Sequence, residues 1–410
     1  MKKLIVLTLL GFIGCEKEYV INYPSGYERE LYKKSYKLAQ ESIILDGHVD
    51  VPYMLEDHPD VDITKLSNKS DFDAVRARDG GLDAPFMSIY IPAELQLKPG
   101  ESKKKADHLI AKMYSIIQKY PQIFASANNP DDVLSNHEKG LISLPFGMEN
   151  GSAIEDDISN VEYFYNKGIR YITLTHGKRN LLGDSSYDSD KAWNGLSPLG
   201  EKVVLEMNRL GIMVDISHVS DSTFYDVMKI TKVPVIASHS SLRHFTPGME
   251  RNMSDDMVKL LGEKGGVIQI NFGSYFLTQE ANQFETKKYV QLDDFIKKNK
   301  LSGEEDPLAK AEAARLDSLH PYPFADISDV VNHIKRAVEL AGIDHVGLGS
   351  DFDGVENTLP KDLKSVSDYP KLIYHLFKAG YSERDIKKIL GENVLRVWQT
   401  VDDYAKSARK

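Results

Sequence analysis

Residues 197–218 read SPLGEKVVLEMNRLGIMVDISH, and this stretch decides the fold. Ser197 offers an N-cap and Pro198 a first-turn proline, after which Leu199, Val203, Met207 and Leu210 recur at helical spacing. The spacing predicts an amphipathic helix with one inward stripe. Residues 211–216 follow as a short apolar run that suits a buried strand, and His218 stands just past its end. A helix, a strand and then a polar residue at the strand's C-terminal end is the repeating unit of a parallel barrel enzyme.

The same unit recurs in both directions. Apolar, β-branched stretches fall at 43–45, 86–91, 141–146, 170–174, 211–216, 233–237, 266–271 and 345–349, with helical patterns between them. Phe224, Val227 and Met228 form the apolar stripe after the fifth stretch; Val330, Ile334, Ala337 and Leu340 form it before the eighth. The expected class is α/β, a (β/α)8 TIM barrel, and 410 residues that are 41% hydrophobic supply one such catalytic domain over 37–410. Residues 278–322 break the repeat: they are charged, helical in composition and too long for an ordinary connection, so they read as an insertion before the last strand, either a cover for the barrel mouth or a solvated helical excursion. Residues 371–398 read as two short helices split at Gly380, with Ser382 capping the second.

The N-terminus reads differently. Lys2 and Lys3 precede an apolar run over 4–12 that is too short to span a bilayer, and Gly14-Cys15 closes it. This order resembles a bacterial lipoprotein signal, with Phe12 where leucine is usual: signal peptide 1–14, an acylated Cys15 and a polar tether over 15–36. It predicts an exported protein, lipid-anchored to a bacterial membrane on the periplasmic side or the cell surface. Cys15 is the only cysteine, which leaves no intramolecular disulfide. A net charge of −10 argues against nucleic acid as a partner, and also against reading 380–385 as the turn of a DNA-binding helix pair.

Chemistry collects where a barrel enzyme needs it. His48 and Asp50 follow the first stretch, Glu149 the third, His176 the fourth, His218 the fifth, His239 the sixth and Asp351 the eighth. In extended backbone His48 and Asp50, two apart, point the same way and can share a cation, although such a pair is more often structural when it stands alone. His218 and His239 end consecutive stretches in the same Ser-His pair, and neutral imidazoles on adjacent strand ends suit a zinc-like ion. Glu149, in a loop flanked by Gly147 and Gly151, is the candidate carboxylate to join two such pairs.

Together these segments closely resemble the membrane (renal) dipeptidase family of metallopeptidases. The likeness lies in Asp46-Gly47-His48-Val49-Asp50, Thr173-Leu174-Thr175-His176, residues 213–221, Ala237-Ser238-His239-Ser240-Ser241, Arg251-Asn252 and residues 347–354, and it runs from about 42 to 398. The resemblance implies two Zn2+ ions per chain, with His48 and Asp50 on one, His218 and His239 on the other, and Glu149 bridging. It implies dipeptide substrates, a hydroxide held by both zincs as nucleophile, His176 and Arg251 in contact with substrate, Asp351 binding substrate and handling protons, and a homodimer. Asn150 where the family commonly has glycine, and 177–180 in place of an Asn-rich stretch, are departures that bear on substrate preference. The rival readings are another binuclear barrel amidohydrolase, which wants His-x-His on the first strand and a lysine on the fourth, and a lipid-anchored binding protein without catalysis. The first is opposed by His48-Val49-Asp50 and by 173–176, which hold no lysine; the second by a ligand set without gaps.

Overall fold

Local chemistry sets the elements around the barrel. The Ser197 hydroxyl accepts from the Gly200 N–H to open the helix Pro198–Leu210, and Gly211, at φ 92°, closes it in the left-handed conformation that glycine adopts without strain. Val203, Met207 and Leu210 are buried, as their spacing requires. Ser220 and Ser254 cap the helices Asp221–Ile230 and Asp255–Glu263 in the same way.

The computed structural model describes residues 19–303 and 306–408; the signal peptide expected over 1–14 and Cys15 lie outside the described residues. Its strands are β1 (Ile44–Val49), β2 (Leu82–Tyr90), β3 (Phe124–Ser126), β4 (Ile142–Leu144), β5 (Phe146–Glu149), β6 (Ile169–Thr173), β7 (Met213–Asp215), β8 (Ile236–Ala237), β9 (Val267–Ile270) and β10 (Val346–Leu348). Eight of them close a parallel barrel in the order β1-β10-β9-β8-β7-β6-β5-β2, with helices around it. The fold is the (β/α)8 barrel that the sequence predicts.

Its third strand lies elsewhere than expected. The sequence places it at 141–146, whereas Ile142–Leu144 pairs with β3 in a separate two-stranded sheet and the barrel takes β5 instead. Pro145, which has no N–H, separates the two. Gly147 weakens the strand pattern of Phe-Gly-Met-Glu, but a β-carbon there would lie 1.9 Å from Cζ of Tyr171. Two other boundaries move. β1 runs on to Val49, so His48 sits on the strand itself. The tether expected over 15–36 gives way at Arg29 to the helix Arg29–Glu41, whose Tyr32, Ser35 and Tyr36 are buried as it packs on the helix Tyr369–Lys378.

The insertion forms the helices Gln279–Asn299 and Pro307–Leu319, joined by their own apolar cluster of Leu292, Ala309 and Leu316. At the C-terminus Ser382 caps Glu383–Lys387 as expected, and a π-helical stretch, Lys388–Glu392, leads into Asn393–Ala408. This last helix plugs the barrel from below. Trp398, fully buried, meets Phe86 at 5.1 Å between ring centroids, and Phe86 meets Tyr171 at 5.1 Å. An aromatic column thus rises from the plug to the level of the polar site. Trp398→Ala should lower the unfolding free energy by about 3–5 kcal/mol, the range for deleting a large buried aromatic. A urea midpoint unchanged from the parent would contradict that load on Trp398.

Candidate metal centre

Strand register brings the polar residues to one level. Glu149 ends β5 opposite Tyr90 on β2 and Thr173 on β6, at the C-terminal rim of the barrel. Its two carboxylate oxygens face different partners. Oε2 lies 3.4 Å from Nε2 of His48; Oε1 lies 3.1 Å from Nε2 of His218, 3.3 Å from that of His239 and 3.6 Å from that of His176. Asp50 Oδ2 is 3.3 Å from His48 Nε2. The structure therefore gathers His48, Asp50, Glu149, His176, His218 and His239 into one buried cluster, with Glu149 between its two halves.

Hydrogen bonding determines which nitrogens point inward. The Ser238 hydroxyl donates to Asp215 Oδ2 at 2.6 Å, and its single proton is thereby used. Its 2.7 Å contact with His239 Nδ1 must then be a bond that it accepts, which leaves His239 protonated at Nδ1 and its Nε2 lone pair free. The Nε2 atoms of His218 and His239 are 2.8 Å apart. Nε2 of His48 is buried with no hydrogen-bond partner among the described residues, and its Nδ1 is 2.7 Å from the Tyr171 hydroxyl. The Nε2 atoms of His48, His218 and His239 converge here on the carboxylate of Glu149, and this set of imidazoles and carboxylates fits divalent cations.

Three further residues stand at the rim. Arg251, buried, sends Nη2 to the His239 carbonyl at 2.6 Å and to within 3.1 Å of His218 Nε2, and Nη1 to the Ser240 hydroxyl at 2.6 Å; its Nε has no partner among the described residues. His176, on the loop after β6, keeps about a quarter of its side chain exposed and is the most open of the cluster's histidines. Asp351 accepts from Asn271 Nδ2 at 2.7 Å, and burial together with the nearby Asp50 and Glu149 carboxylates lifts its carboxyl to about 8 against the pull of His48. His218 and Asp351 hold φ 66° and 63°, left-handed backbone that costs a non-glycine residue about 1–3 kcal/mol, so strain is concentrated at this rim.

The model of the membrane dipeptidase family (Peptidase family M19) matches residues 32–410. The chain belongs to this family. Among solved structures, the probable dipeptidase PvdM from Pseudomonas aeruginosa is similar at a TM-score of 0.78 with 24% identity, over 92% of this chain and 100% of that one. A metallo peptidase from Rhodobacter sphaeroides, liganded with a phosphinate mimic of the dipeptide L-Ala-D-Ala, is similar at 0.71 with 23% identity, over 88% and 100%. At these identities the likeness shows the shared barrel.

Within this membrane dipeptidase family member, the residues that sequence reasoning missed are the supports beneath the cluster. Asp215, on β7, accepts from Ser217 N–H, Ser238 N–H and the Ser238 and Thr173 hydroxyls; Asp46, on β1, accepts from His48 N–H, Ser350 N–H and the Tyr369 hydroxyl. Ser88 donates to Glu149 Oε2 at 3.2 Å. An aspartate in the middle of an apolar strand was the available signal, because a charge there must be fully hydrogen-bonded. The two departures from the family pattern meet each other. Asn150 has φ 75°, a conformation glycine or asparagine tolerates, and its Oδ1 accepts from Asn180 Nδ2 at 3.0 Å. Both side chains are buried and tie the β5 and β6 loops together.

Proposed function

We propose that the chain is a zinc-dependent dipeptidase with two Zn2+ ions, His48 and Asp50 holding one, His218 and His239 the other, and Glu149 bridging. The observation that carries this reading is the division of Glu149, one oxygen toward each half of the cluster. Cations bound there supply an activated water at neutral pH and Lewis acidity toward the scissile carbonyl. The chain's own groups do the rest. Arg251, with an unused buried Nε, offers a forked donor to the free carboxylate of a dipeptide. His176, at the open side, donates to the oxygen that becomes negative as the carbonyl is attacked. Asp351, steadied by Asn271, takes the proton released by the nucleophile and passes it to the departing amine.

Zinc-loaded protein should hydrolyse Ala-Ala and lose about 10- to 100-fold in kcat/KM on Ala-Ala amide, the scale of charged hydrogen bonds to Arg251. Failure to cleave any dipeptide, or equal rates on acid and amide, would count against the reading. The lipid anchor at Cys15 is part of the same proposal and rests on the N-terminal residues alone. No helix among the described residues is long and apolar enough to cross a membrane.

A further inference from the structure

A cavity of about 630 Å³ borders the site, and the proposed chemistry leaves it unused. Two of its walls continue from the metal cluster. Tyr187 has its ring centroid 5.8 Å from that of His218 and its phenol beside the Arg251 guanidinium, and the turn 247–249 leads directly into Arg251. The third wall is one face of the insertion helix Gln279–Asn299, where Gln279, Asn282, Gln283, Thr286, Lys287 and Gln291 recur at helical spacing. Asn282 Nδ2 closes on Met249 Sδ at 3.1 Å, which fixes this face against the turn.

The chemistry of that face is specific. It carries carboxamides, a hydroxyl and one ammonium beside the apolar Val290, and no carboxylate lines the cavity. Lys288 and Lys297, on the same helix, are paired with Asp317 and Asp293, whereas Lys287 forms no ion pair among the described residues. A carboxylate seated on Arg251 puts the carbon that bears it one bond away, and Tyr187, which lies beside Arg251, also lines this cavity.

We propose that the cavity is the subsite for the side chain of the substrate's C-terminal residue, that it selects acidic and carboxamide side chains, and that Lys287 is its specificity-determining residue. The inference rests on the reading of Arg251 as the clamp for the substrate's carboxylate. It gives the insertion a role in substrate choice.

The test is kcat/KM of the zinc-loaded protein on Ala-Glu, Ala-Gln, Ala-Lys and Ala-Ala, with the C-terminal residue in both L and D forms. Ala-Glu should exceed Ala-Lys by roughly fivefold or more, the scale of one partly exposed ion pair, and Lys287→Glu should invert the order. Lys298→Glu, an exposed charge reversal on the same helix, should leave the ratio where it was. Ala-Ala hydrolysis with equal rates on Ala-Glu and Ala-Lys, or a ratio that Lys287→Glu does not move, would overturn the subsite alone. Absence of Ala-Ala hydrolysis would overturn the dipeptidase reading, and this inference with it.

Discussion

Glu149→Gln is expected to lower kcat for dipeptide hydrolysis by roughly a thousandfold or more, on the scale of losing a principal electrostatic element of a buried site. The substitution keeps the volume and an acceptor for Ser88, and removes one charge. That charge is the one the site is arranged around. Burial works to raise the Glu149 carboxyl, yet His48, His176, His218 and His239 together hold it well below the ordinary carboxylate range. With glutamine in place, Asp50 and Asp351 remain as the carboxylates of the cluster, and the two proposed cation sites would lose their shared ligand. Metal content should fall in step with activity. Treating the parent with a chelator should reproduce the loss, and added zinc should restore the parent but not the variant. Far-UV circular dichroism of the variant should match the parent, which separates an emptied site from an unfolded chain. A folded variant that retains both metal and turnover would falsify the bridging role.

The barrel and the convergence of the candidate site residues were legible in the sequence, for physical reasons that also explain what it missed. Helices such as Pro198–Leu210 were legible because caps and apolar spacing are local properties. The cluster was legible because strand ends converge in a barrel, so residues as far apart as His48 and His239 could be grouped without any knowledge of distance. β5 was not legible. Its glycine answers to a ring on the neighbouring strand, Tyr171, and nothing near Gly147 in the chain records that contact. The supports Asp46 and Asp215 were hidden in the same way, since their partners come from loops far away in sequence. The first part of the helix Arg29–Glu41, up to Tyr36, reads as tether in the sequence because its composition is polar overall, while its tyrosines make a face only when packed on Tyr369–Lys378.

Asp351→Asn separates two roles that its position allows. Asp351 lies within ligand distance of His48 and His239, so its carboxylate could hold a cation; it also sits at the rim, tied to Asn271, with a carboxyl lifted to about 8. Asparagine preserves an acceptor for Asn271 and the size of the group, and cannot carry a proton. If Asp351 moves protons, kcat should fall by about 10²- to 10⁴-fold with metal content unchanged. The pH profile gives the sign. A carboxyl that accepts a proton works in its ionised form, so parent activity rises with pH through its pKa, and the positive charge of bound cations moves that pKa down from the value set by burial and the neighbouring carboxylates. The asparagine variant should lose this ascending limb. Loss of metal from the variant would instead make Asp351 a ligand, and an ascending limb that persists unchanged would place the proton transfer on another group.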